Sequence, residues 1–147
     1  MPPATDPHGL EVTVGEADRE IEDQLIEEVR RFNDEILGAE RSRPLAAVAR
    51  DGKGDIVGGV AGRTAYGWLL IHVVWVRSDS RGTGLGSRLM AMAESEALLR
   101  GCAGAQVDTV TFQAPGFYRK LGYKEVGTVD DFPPGYKRHY FAKRLGS

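Results

Sequence analysis

The chain of 147 residues is short of cysteine, of long apolar runs and of net charge, and each shortage excludes something. Cys102 is the only cysteine, so no internal disulfide can form, which fits a reducing cytoplasm better than a stapled secreted scaffold. Coming just after Gly101, it is expected to be a packed, unreactive thiol. A membrane-crossing helix needs about 20 consecutive apolar residues, and no run approaches that. A formal charge of −2 argues against an electrostatic nucleic-acid binder. The opening Met1-Pro2-Pro3-Ala4-Thr5-Asp6-Pro7-His8-Gly9 lacks a basic-then-apolar signal pattern. It reads as a flexible leader over residues 1–9, with one domain over 10–147. Linkers, repeats and low-complexity segments are absent as well.

What is present alternates between strand and helix. Leu10 to Gly15 reads as a first strand. Ile21, Leu25, Val29, Phe32 and Ile36 trace one face of a helix that Asp18 caps and that ends near Gly38. Strands at Leu45–Arg50 and Ile56–Gly62 flank the glycine-rich loop of residues 51–55. The apolar, β-branched run Trp68–Val76 predicts the next strand. A helix from Leu85 to about Arg100 follows, then a strand at Gln106–Phe112 lying parallel to the Trp68 strand. Pro115 suits the first turn of a short helix carrying Tyr118. Lys124–Val129 and Arg138–Leu145 read as a terminal pair of strands. The expected fold is a mixed α/β sheet of six or seven strands, mostly antiparallel, with helices on both faces and one parallel strand–helix–strand unit.

The most informative stretch is Arg81-Gly82-Thr83-Gly84-Leu85-Gly86, between the Trp68 strand and the helix. A glycine turn opening a helix exposes unpaired N–H groups at the positive end of the helix dipole, a geometry that binds phosphate. Spacing separates the known kinds. No lysine follows the glycines, which removes a Walker loop. Ser87 stands where a dinucleotide fingerprint requires its third glycine. The bland alternative is a turn that serves packing only.

Arg81-x-x-Gly84-x-Gly86 resembles the pyrophosphate motif of the GNAT superfamily of acyl-CoA-dependent N-acetyltransferases. Ala114-Pro115-Gly116-Phe117-Tyr118-Arg119-Lys120-Leu121-Gly122-Tyr123 is similar to a second segment of that family, in the same order along the chain. Together the two motifs cover Trp68 to about Val126. The departure is Thr111, which occupies a place where many members carry asparagine.

The resemblance implies acetyl-CoA as co-substrate, without a metal. Its diphosphate falls to Arg81, Gly82, Thr83, Gly84, Leu85, Gly86 and Ser87, and its pantetheine arm to the backbone of Val74 and Val76. Arg88 and Arg77 are further candidates for the phosphates. Tyr118 matches the general acid that protonates the leaving thiolate. Strand alternation places Leu70, His72, Val74 and Val76 on one face and Ile71, Val73 and Trp75 on the other. The first face is the one that borders the acyl-transfer site in the family, and it offers only His72 as a base, with Asp108 on the next strand as the alternative.

Asp130, Asp131 and Tyr136, in the proline-stiffened segment 130–136, are candidates for binding a cationic amine. The implied activity is acetylation of a small-molecule primary amine, aminoglycoside-like antibiotics included, by direct attack in a ternary complex. Acetylation of a protein N-terminus or lysine, and a non-catalytic acyl-CoA sensor, are the alternatives. The expected partners are the amine and, as a homodimer, a second copy of the chain. Neither nucleic acid nor membrane is expected.

Overall fold

The computed structural model describes residues 4–39 and 42–146. Two compact units divide the chain, Met1–Glu40 and Arg41–Ser147. In the first, β1 (Ala4–Thr5) pairs antiparallel with β2 (Glu11–Val12), and α1 (Arg19–Leu37) follows. The Asp6 carboxylate closes the turn between the strands, accepting the N–H groups of His8 at 2.8 Å and Leu10 at 2.9 Å. β1 lies within the segment read as a leader. The strand expected over Leu10–Gly15 contracts to Glu11–Val12, because β1 supplies only two residues of partner backbone. α1 starts and stops where the sequence places it. Asp18 accepts the Ile21 N–H at 2.9 Å, and Gly38 ends the helix at φ 78°.

The second unit is a six-stranded sheet. Its strands are β3 (Arg43–Arg50), β4 (Ile56–Ala65), β5 (Trp68–Val76), β6 (Gly104–Val110), β7 (Lys124–Asp130) and β8 (Lys137–Arg144), in the order β3-β4-β5-β6-β8-β7. Helix α2 (Leu85–Leu99) connects β5 to β6, and the short α3 (Pro115–Lys120) follows β6. Every pairing is antiparallel except β5 with β6, which is parallel and runs only from Trp68/Gly104 to Leu70/Gln106.

One apolar core joins the sheet to α2 and α3. Leu69, Met90 and Phe141 are fully buried in it, each contributing roughly 1.5–3 kcal/mol of burial. Ala93 and Ala97, also buried, keep α2 close to the strands. Among the described residues no helix is long and apolar enough to cross a membrane.

β5 departs from simple alternation. Ala61 pairs with Val73 but Gly62 pairs with Ile71, so His72 is an extra residue, a β-bulge. The bulge reverses the parity of everything beyond it. Ile71 is in the core, and Val74, not Val73, packs against the same core. Ile71 therefore shares its face with Val74 and Val76, while Leu70 falls in line with Val73 and Trp75. This corrects the alternation expected from sequence.

β6 also shifts. It begins at Gly104, two residues early by sequence, because Gly104 and Ala105 lack the bulk that marks a strand. The Trp68 ring covers Gly104 so closely that a Cβ would stand 2.4 Å from it. β6 stops at Val110, where the Gln113 side chain accepts the Val110 N–H at 2.9 Å and turns the chain.

Candidate active site

Beyond Leu70 and Gln106, β5 and β6 no longer pair, and a cleft of about 930 Å³ opens between them. Its first wall is the free edge of β5. The Arg77 N–H bonds the Val57 carbonyl on the β4 side at 2.8 Å. By alternation, the amides of Val76 and Val74 point the other way, into the cleft. The polar backbone there is open to a ligand along the strand, except that Arg81 Nε donates to the Val76 carbonyl at 3.0 Å.

The glycine turn closes one end of this wall. Gly82 (φ 73°) and Gly84 (φ 83°) hold the left-handed conformation that favours glycine. Gly84 is the N-cap of α2 and has no side chain to cap with, so the first-turn amides of α2 lack a side-chain partner. Thr83 does not line the cleft; its hydroxyl donates to the Ser80 carbonyl at 2.6 Å and tightens the turn. Gly86 stands where a Cβ would meet the Phe117 ring at 3.3 Å, so α2 and α3 close around it.

The arginines divide their work. Arg77 bonds Asp79 at 2.6 Å and Asp51 at 3.5 Å, holding the turn to the β3–β4 hairpin. Its guanidinium helps keep the Asp79 carboxyl below the ordinary range. Arg88 is exposed. Arg81, Gly82, Gly84, Leu85, Gly86 and Ser87 all border the cleft, as do Val74 and Val76.

The second wall comes from β6, the segment after it and α3. Tyr118 is buried, with its ring among Phe117, Tyr123 and Phe141. Among the described residues no buried side-chain oxygen lacks a partner and none hydrogen-bonds this phenol, so its hydroxyl opens onto the cleft. Burial, and then the charge of Asp108, push its pKa up to about 12. The phenol is thus protonated at any working pH and available as a proton donor. His72, displaced by the bulge, is exposed on the same cleft. Asp108 lines it too.

Thr111 lies outside the cleft. Its hydroxyl donates to the Lys137 carbonyl at 3.0 Å, accepts the Lys137 N–H at 2.9 Å and stands 3.1 Å from His139 Nε2. His139 pairs through Nδ1 with Glu125, whose carboxyl it holds below the usual range.

The three expected amine-binding residues are not brought into the cleft. Asp130 pairs with Lys137 at 3.7 Å, and Asp131 adopts φ 56° at the head of the β7–β8 turn. Tyr136 reaches the site indirectly, packing edge-on at 5.0 Å against Phe112, which does line the cleft. Phe112 and Lys120 are lining residues that sequence reasoning missed. By sequence Phe112 reads as the end of a strand, and a solvent-facing apolar residue just past a strand end is the available signal. The bulge had a better one, a glycine (Gly62) inside an apolar strand.

The parted parallel pair and the glycine turn at the head of the crossover helix together define a candidate ligand site. The Acetyltransferase (GNAT) family model matches residues 12–123. A blasticidin-S acetyltransferase of Streptomyces morookaense is 44% identical over 71% of this chain and 79% of its own length. An acetyltransferase of Agrobacterium fabrum is 33% identical over 92% of this chain and 96% of its own. A crystal structure of an acetyltransferase from Bacillus cereus superposes with a TM-score of 0.81 at 34% identity, covering 91% of this chain and 98% of the other. The chain belongs to the GNAT family and is an N-acetyltransferase.

Proposed function

We propose that the enzyme moves an acetyl group from acetyl-CoA to a primary amine of a small molecule, by direct attack with both substrates bound. The observation that carries this reading is the free edge of β5, which leads from the glycine turn at one end to the open hydroxyl of Tyr118. The residues present fit coenzyme A. Gly82 and Gly84 leave space for a diphosphate and the first turn of α2 leaves amides, while the amides of Val74 and Val76 suit an extended amide chain. A backbone N–H of the β5 edge would also stabilise the charge that develops on a thioester oxygen held along it.

The amine nitrogen forms a bond to the acetyl carbonyl carbon as the carbon–sulfur bond breaks. Tyr118 gives its phenolic proton to the departing sulfur. His72, exposed on the same cleft, takes the proton the amine must shed. Catalysis through a covalent cysteine has no candidate here, since Cys102 is buried in the core away from the cleft.

The relative that acts on blasticidin S makes an amine-bearing antibiotic the first acceptor to try. Tyr136, packed against Phe112, gives the segment 130–136 with Asp130 and Asp131 a route to an acceptor as an outer rim. The test is release of free coenzyme A thiol from acetyl-CoA with blasticidin S, an aminoglycoside, a polyamine and an aryl-alkylamine. Release that depends on one of these amines is expected. Thiol release with none of them, in enzyme that still binds acetyl-CoA, overturns the reading in favour of a sensor.

A further inference from the structure

Asp108 stands out among the cleft's side chains because it is held on its far side and free on the near one. Arg138 grips it with two bonds, Nε to Oδ1 at 3.2 Å and Nη2 to Oδ2 at 3.1 Å. Arg138 is itself fixed by two rings, with its guanidinium carbon 4.9 Å from the centroid of Phe132 and 4.9 Å from that of Tyr140. Tyr140 pairs directly across from Asp108 in the β6–β8 register, so the clamp is built into the sheet. A two-pronged, ring-stacked arginine fixes a carboxylate's direction as well as its charge.

A carboxylate accepts about four hydrogen bonds, and Arg138 takes two. The Asp108 side chain remains 42% exposed, on the cleft onto which Tyr118 opens. The side of the cleft opposite β5 is where an acceptor must enter if the β5 edge holds the co-substrate. Asp108 is therefore an oriented anion on the acceptor's path.

We propose that Asp108, held in place by Arg138, anchors the ammonium group of the acceptor and hands it to the acyl-transfer site as a cation. This rests on the function proposed above. The pairing with Arg138 also explains how the anchor works without trapping the proton. An ammonium held by a lone carboxylate has its proton stabilised, which opposes the deprotonation that attack requires. The guanidinium offsets that effect, leaving direction and modest attraction. The acceptor class that fits is a primary amine, cationic in solution, on a body flat enough to lie beside Phe112 at the rim. Phe132, in the β7–β8 turn, acts one step removed, as a positioning residue through Arg138.

The test uses the whole enzyme with blasticidin S, kanamycin, spermidine and tryptamine, taking whichever gives the fastest thiol release. Asp108→Asn keeps the shape and removes the charge. We expect its KM for the amine to rise about 10- to 30-fold, the scale of a charge-assisted hydrogen bond, with kcat and the acetyl-CoA KM within threefold. Asp108→Glu recovers part of the loss, and Arg138→Gln raises the amine KM about threefold to fivefold. Calorimetry of the same amine into enzyme saturated with coenzyme A reads the affinity without chemistry and follows the KM. If the wild type neither binds nor acetylates any of the four amines, the proposed function falls and the anchor with it. If it acetylates one and Asp108→Asn leaves the amine KM within twofold, or lowers kcat in its place, the anchor alone falls.

Discussion

Gly62 faces Leu70 across the bulge so closely that a Cβ on it would stand 2.0 Å from the Leu70 carbonyl oxygen. No side chain shift relieves a clash with backbone. The bulge at His72 and the parting of β5 from β6 both lie immediately beyond this contact. Gly62→Ala is expected to destabilise the protein by about 2–3 kcal/mol, on the scale of an overpacked core. It should also weaken acetyl-CoA binding by distorting the β5 edge. Gly52→Ala is the control, because nothing lies within 4 Å of its Cβ position and its φ is not left-handed. Thermal unfolding with and without acetyl-CoA checks both. Equal melting points for Gly62→Ala and Gly52→Ala would remove the role assigned to this contact.

Gly84 closes the turn at the head of α2 with φ 83°, and a side chain there meets no neighbour within 4 Å. The expected cost of Gly84→Ala is therefore conformational, about 1–2 kcal/mol for forcing an L-residue into the left-handed region. Relaxation of that strain moves the amides of Leu85, Gly86 and Ser87. Acetyl-CoA affinity should fall about tenfold by calorimetry, while desulfo analogues that keep the diphosphate fall in parallel. A loss of stability with unchanged affinity would detach this turn from the diphosphate.

Much of this site is legible in the sequence alone. Caps at Asp18 and Gly38, the exact span of β5 and the proline that starts α3 follow from local rules that tertiary packing did not override. The glycine turn is legible because the role proposed for it is carried by backbone, and backbone freedom is written as glycine. His72's position is not, since one inserted residue changes no composition and reverses every side chain after it. The Asp108–Arg138 clamp is equally hidden. The two residues come from different strands, and only the β6–β8 register brings them together. The outer position of Asp130 and Asp131 has the same origin, because the reach of the β7–β8 turn depends on where that hairpin sits in the sheet.

Tyr118→Phe separates chemistry from packing. The ring contacts with Phe117, Tyr123 and Phe141 survive, and only the cleft-facing hydroxyl is lost. Turnover is expected to fall about 10²- to 10⁴-fold, the range of a positioned general acid, with acetyl-CoA affinity within threefold. The raised pKa has a second consequence. Protonated phenol is favoured in the folded state, so its contribution is intact below the unfolded value near 10. It is lost as pH rises from there through about 12. Wild-type stability should therefore decline across that alkaline window, and Tyr118→Phe should decline less steeply. Parallel alkaline curves, or near wild-type turnover in the variant, would contradict the assignment.

Behind the site, Glu94 of α2 ties the helix to the far strands. Its Oε1 accepts Lys143 Nζ at 2.7 Å and its Oε2 accepts the Tyr123 hydroxyl at 3.0 Å. The Glu94 side chain is 12% exposed and is paired with Lys143. Lys143→Met leaves that half-buried carboxylate beside a phenol alone, and a loss of about 1–3 kcal/mol is expected, as for a charged group that loses its partner. Glu94→Gln with Lys143→Met removes both charges while the amide oxygen still accepts from Tyr123, and should recover most of that loss. The same exchange should bring down the Tyr123 pKa, which burial raises first and the Glu94 charge raises further. Urea unfolding of the two single variants and the double variant gives the coupling. Additive losses would mean that the ion pair is solvated and the helix is held by its apolar face alone.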